Sequence, residues 1–133
     1  MNVLVDTSVW IDYFRGVGQI GILDYLIDEN LVVTNNLILT ELIPTLYMRH
    51  QKKLISLLNE IKRYPVNIDW DNIREMQITC IRNGINGIGI PDLIIAQNAI
   101  QHKSHLLSTD GHFLSISKHL PLSLYENKSP TYN

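Results

Sequence analysis

At 133 residues and 45% hydrophobic, with no low-complexity or Pro/Gly/Ser-rich divider, the chain is expected to form one domain, 1–133, around one core. Its net charge of −2 excludes a protein that holds nucleic acid by bulk charge, although a local basic patch is compatible with that total. The single cysteine, Cys80, excludes an internal disulfide and any C-x-x-C zinc or redox pair. A reducing, cytoplasmic setting is therefore expected. The start lacks a secretory leader and the apolar runs are too short for a membrane span, which predicts a soluble chain with no membrane partner.

Strand and helix signals alternate, the pattern of a mostly parallel sheet covered by helices on both faces. Residues 2–5 read as a buried strand, and 7–15 and 20–28 as short helices linked through Gly16 and Gly18. Residues 31–34 are a second strand. Asn35 or Asn36 can cap the next helix, which carries Glu41 before Pro44 removes a backbone donor and bends it. An amphipathic helix is expected over 50–63 and a short strand over 65–68. Asp69 or Asp71 starts a helix that runs to Asn83 and ends at Gly84 in a left-handed conformation. A Gly-rich link over 85–91 leads to an apolar helix over 93–102. A strand over 105–108, a helix over 112–119 and a last strand over 120–125 complete the order, with 126–133 as a frayed tail.

Asp6, Glu41, Asp92 and Asp110 all lie where an apolar element meets a loop. If the strands before Asp6 and Asp110 are parallel neighbours, their carboxyl ends share the edge where open α/β sheets bind ligands. Four carboxylates there repel one another unless protons or cations neutralise them, and an all-oxygen set suits Mg²⁺ or Mn²⁺. Each acid also has an ordinary reading: Asp6 and Asp92 as helix caps, Asp110 as a turn residue before Gly111. Glu41 is harder to explain away, because it stands in an apolar stretch and buried Glu is rare unless paired.

Thr7, Ser8 and Thr109 are candidates to orient carboxylates or water from behind the ligands, and His112, two residues after Asp110, to act on the site in the same indirect way. His102 and His105 lack a third ligand at zinc spacing. Gly84, Gly87 and Gly89 lack the preceding strand and following Lys-Ser/Thr of a phosphate-cradling loop.

The segments Val3-Leu4-Val5-Asp6-Thr7-Ser8-Val9-Trp10-Ile11, Leu39-Thr40-Glu41-Leu42, Ile90-Pro91-Asp92-Leu93-Ile94-Ile95-Ala96 and Leu107-Ser108-Thr109-Asp110-Gly111-His112-Phe113 resemble, in order, the acidic motifs of PIN-domain nucleases. Within these the chain is most similar to VapC-type toxins of toxin–antitoxin pairs. The resemblance implies an α/β/α sandwich around a mostly parallel sheet, Mg²⁺ or Mn²⁺ at Asp6, Glu41, Asp92 and Asp110, and endonucleolytic cleavage of RNA. It also implies a homodimer, and a small antitoxin that wraps the dimer and inserts a side chain near the acidic cavity. Two departures stand out: His112 where many relatives carry a further acid, and Pro44 just after the Glu motif. Arg49, Lys52, Lys53 and Arg82 are candidates for RNA backbone contacts. Two other classes remain open. A phosphatase with an Asp nucleophile calls for a second Asp two residues after Asp6, where Ser8 stands; a non-catalytic or degenerate binding module would keep the fold without the chemistry.

Overall fold

The computed structural model describes residues 1–126. Strands β1 (Val3–Val5), β2 (Val32–Asn35), β3 (Lys62–Tyr64), β4 (His105–Leu107) and β5 (Ser123–Leu124) form one sheet in the order β3-β2-β1-β4-β5, and every neighbouring pair is parallel. Parallel neighbours need crossover connections, supplied by helices α1 (Thr7–Phe14), α2 (Ile20–Asp28), α3 (Asn36–Met48), α4 (Lys52–Glu60), α5 (Trp70–Arg82), α6 (Ile90–Gln101) and α7 (Gly111–Ser117). The chain builds outward from β1 to β3, then returns to the other side of β1 for β4 and β5. Because such crossovers are right-handed, reversing direction puts the later helices on the opposite face, which gives the three layers expected. The reversal lies between β1 and β4.

The central strands are apolar because both faces are covered: Val3, Leu4, Val5, Val33 and Leu106 are all buried. Trp10 and Leu23 join this core, so the α1 and α2 residues that could have formed an apolar outer surface mostly pack inward. Tyr25, on α2, is exposed at 53%. Tyr13 ties the two helices together by donating to Asp24 at 2.6 Å, and that bond pushes its pKa up to about 12.

Several elements differ from their sequence reading. The third strand is Lys62–Tyr64, not 65–68, and α4 stops at Glu60. As an edge strand, β3 keeps Lys62 and Arg63 exposed and buries only Tyr64, so it carries no apolar run. The last strand shrinks to Ser123–Leu124. Helix α6 starts at Ile90, with Gly89 as its cap, so Asp92 lies inside the first turn and does not cap it. Asn35 caps α3 by accepting from the Ile38 N–H, Asp69 caps α5 through the Asn72 N–H, and Gly84 follows α5 with φ +70°. α3 runs through Pro44 without a break. Of the expected tail, residues 127–133 lie outside the described residues. No helix among the described residues is long and apolar enough to cross a membrane.

Helix α6 is held by amides as well as by apolar packing. Asn98, 1% exposed, accepts from Asn35 Nδ2 at 2.9 Å and donates to the Pro65 carbonyl at 2.9 Å. Gln97 accepts from the Asp69 N–H and donates to the Asp69 carbonyl and to Asn72 Oδ1. Buried amides satisfied on both sides fix the rotation and depth of a helix more sharply than apolar contacts do. That orientation aims Asp92, at the amino end of α6, toward the carboxyl ends of β1 and β4.

Candidate metal centre

The chain leaves β1 at Asp6 and β4 at Ser108, and the Asp6 N–H donates to the Leu107 carbonyl at 2.9 Å, which locks the two strand ends together. Asp6 is 6% exposed and precedes α1, yet its carboxylate makes no capping bond. Its Oδ2 instead accepts from Ser8 Oγ and Ser108 Oγ, each at 2.9 Å. A buried carboxylate that accepts from two hydroxyls is held in a fixed orientation. Ser108 is also the acceptor for the Asp110 N–H at 3.0 Å, so one hydroxyl positions two acids.

Ser108 was missed by the sequence reading, which had pointed to its neighbour. Thr109 is exposed and reaches this network through its backbone N–H, which donates to Ser8 Oγ at 3.3 Å. Its hydroxyl contacts none of the four acids. The available signal was the two-residue period at a strand end, which turns Ser108 and Thr109 to opposite sides.

Glu41 enters from α3. Its burial was expected, but the residue is exposed as a whole, so the cost of burying a lone Glu does not explain its presence. Its Oε1 accepts from Thr7 Oγ1 at 3.0 Å, which ties the carboxylate to the start of α1. Desolvation at that carboxylate end pushes its pKa up, the Thr7 bond opposes this, and the charges of Asp6 and Asp92 push it further up. Desolvation likewise raises the Asp92 carboxyl, with Asp110 and Asp6 adding to the rise and His112 working against it. Glu41 thus feels the charges of Asp6 and Asp92, and Asp92 those of Asp110 and Asp6.

Asp110 serves as the cap of α7, accepting from the His112 N–H at 2.9 Å. This bond folds His112 back so that Nδ1 lies 3.6 Å from Asp110 Oδ1 and 4.0 Å from Asp92 Oδ2. Ligand atoms of Asp92, Asp110 and His112 all lie within 4.8 Å of one another, and among the described residues no other His, Cys, Asp or Glu group is so placed. The donor chemistry fits a hard divalent ion: carboxylate oxygens dominate, and desolvation, with neighbouring acids adding to it, disfavours ionisation of Glu41 and Asp92.

A family model described as PIN domain matches residues 3–119, which takes in Asp6, Glu41, Asp92 and Asp110. The chain belongs to the PIN-domain family. Solved structures agree with the fold. VapBC2 from Rickettsia felis, solved with a DNA fragment from its promoter, has 19% identity, a TM-score of 0.74, and coverage of 94% of this chain and 98% of that chain. VapBC-1 from nontypeable Haemophilus influenzae has 19% identity, a TM-score of 0.73 and coverage of 95% and 98%. FitAcB from Neisseria gonorrhoeae has 20% identity, a TM-score of 0.67 and coverage of 93% and 96%. No curated protein matches the chain. With PIN topology assigned, the cluster occupies the sheet's reversal point, where open α/β folds bind ligands.

Proposed function

We propose that this PIN-domain protein is a metal-dependent endoribonuclease and the toxin of a toxin–antitoxin pair, with Asp6, Glu41, Asp92 and Asp110 holding Mg²⁺ or Mn²⁺. The observation that supports the reading is the meeting of Asp92, Asp110 and His112 beside the β1/β4 reversal, with the Asp6 charge felt by both Glu41 and Asp92. A divalent ion bound there would acidify a water and neutralise charge on the phosphodiester as it is cleaved. The protein's own groups prepare the site. Ser8 and Ser108 orient Asp6, Thr7 restrains Glu41, and the α7 cap fixes Asp110. His112 acts from beside Asp92 and Asp110, where a protonated ring would donate to a carboxylate or to a phosphate oxygen. Thr109 contributes through its backbone N–H.

An Asp-nucleophile phosphatase is disfavoured by the same geometry, because Ser8, in the place of the second Asp, is committed to Asp6 Oδ2. A cognate antitoxin is the partner this reading calls for, supported by the likeness to a toxin–antitoxin complex from Klebsiella pneumoniae, and a cytoplasmic homodimer is part of the same proposal. Tyr25 and Ile11, exposed on α2 and α1, are the residues of that region still free to join such an interface.

The test is incubation of the purified chain with end-labelled single-stranded RNA in Mn²⁺, Mg²⁺ or EDTA, with p-nitrophenyl phosphate in parallel. Internal cuts in either ion, none in EDTA, and no turnover of the ester are expected. Ester hydrolysis without RNA cutting would replace the nuclease with a phosphatase, and neither activity would leave a binding module.

A further inference from the structure

Glu41 also has a second neighbourhood, whose lining includes none of the other three acids. Between α1, α3 and the start of α4 lies a cavity of about 230 Å³, with Glu41 in its wall. Ile11, Phe14 and Leu54 supply apolar and aromatic surface, and Arg15 and Arg49 stand among the lining residues. Both arginines are exposed, and among the described residues neither forms an ion pair. Gln51, another lining residue, leads directly into Lys52 and Lys53, both exposed. An acidic chain thus has two exposed arginines lining one hollow that carries the Phe14 ring and shares the Glu41 carboxylate with the candidate metal centre.

We propose that this cavity is a nucleotide subsite, which takes the base of one unpaired nucleotide beside the scissile phosphate while Arg15 and Arg49 hold the flanking phosphates. The inference rests on the nuclease reading and adds where the substrate lies. An aromatic face with adjoining apolar side chains suits a base lifted out of a stack, and guanidinium groups suit phosphate oxygens in a bidentate manner. A polypeptide side chain could also fill an apolar hollow. The uncompensated cations at its rim, beside a cluster expected to bind a phosphodiester through metal, favour the polyanion. Sequence tolerance follows, because stacking and phosphate contacts do not read base edges. The subsite requires single-stranded RNA, since a paired base cannot enter.

The experiment uses the full chain carrying Asp92→Asn, so that RNA is bound without being cut. Its ligand is a single-stranded oligoribonucleotide containing 2-aminopurine, titrated over a range of salt concentrations. Arg15→Gln and Arg49→Gln are each expected to weaken binding about 5-fold or more and to reduce the salt slope by roughly 0.7. Thr45→Trp, at an exposed lining position, is expected to fill the hollow and abolish the 2-aminopurine fluorescence change. In chains with Asp92 intact, the same substitutions should raise KM for RNA and leave Mn²⁺ affinity, read by calorimetry, unchanged. Unaltered RNA affinity and salt slope in all three variants would overturn the subsite, as would a loss confined to binding of a protein partner. If RNA binding depends on the arginines but the wild type cuts nothing, the subsite stands and the nuclease reading falls.

Discussion

Replacing Ser108 by Ala tests how the site holds its most buried charge. The hydroxyl donates to Asp6 Oδ2 at 2.9 Å and accepts from the Asp110 N–H at 3.0 Å. A hydrogen bond to a charged group contributes about 1.5–3 kcal/mol, and Ser8 remains on the same oxygen, which favours the lower half of that range. With an unfolding entropy of about 2.1 cal/mol/K per residue, a chain of 133 residues loses 1 °C for roughly 0.28 kcal/mol. Ser108→Ala should therefore lower the melting temperature by about 5–8 °C. It should also weaken Mn²⁺ binding about 10–100-fold, because groups that orient ligands matter nearly as much as the ligands. Thr109→Val, an exposed neighbour, should stay within about 0.5 kcal/mol of the wild type. Calorimetric melting of the metal-free proteins and Mn²⁺ titration supply both readings. A Thr109→Val effect equal to or larger than that of Ser108→Ala would refute the assignment of Ser108.

Asp92→Asn should abolish RNA cleavage while leaving the metal-free fold as stable as the wild type or more so. Glu41 and Asp92 have folded pKa values raised above the ordinary carboxylate range, so the folded state binds protons more tightly than the unfolded one. Metal-free wild type should then lose stability as pH rises from that range through the raised values, and the variant should show a shallower fall across the same window. Melting curves of both proteins in EDTA over that window check the sign, and a rise in wild-type stability there contradicts it. Mg²⁺ or Mn²⁺ should raise the melting temperature of the wild type and much less that of a chain lacking both Asp6 and Asp110, because an ion that binds only the folded state stabilises it by mass action. Equal shifts would put the ions elsewhere. Asn98→Ala should cost about 1–3 kcal/mol in denaturant melts, since it leaves Asn35 Nδ2 without its acceptor and the Pro65 carbonyl with only the His102 ring, 3.3 Å away; a cost under about 0.5 kcal/mol would show that water replaces the amide.

The parts of the fold that sequence revealed are those whose burial pattern is strong. β1, β2 and β4 are short apolar runs because they sit in the middle of the sheet, and each was legible for that reason. β3 was not, since an edge strand of Lys62, Arg63 and Tyr64 reads as the charged end of the preceding amphipathic helix. The α6 start was displaced because Pro91 signals a boundary while fitting equally well within a helix's first turn. At the site, the acids stood out by their order along the chain, but their surroundings did not. Whether Glu41 is buried depends on the rotation of α3, and whether Ser108 or Thr109 faces Asp6 depends on strand twist and register. The amide network of Gln97 and Asn98 was hidden within an apolar helix, because its partners come from residues 35, 65, 69 and 72.

The central claim is that four carboxylates act together through a divalent ion on RNA. Its most direct test is the cleavage rate of one labelled single-stranded RNA by the wild type and by Asp6→Asn, Glu41→Gln, Asp92→Asn and Asp110→Asn, each in Mn²⁺ and in EDTA. Cutting by the wild type in Mn²⁺ alone, with all four variants reduced at least about 100-fold and still folded, is the predicted result. Cutting that persists in EDTA, or near-normal rates in the folded variants, would contradict it.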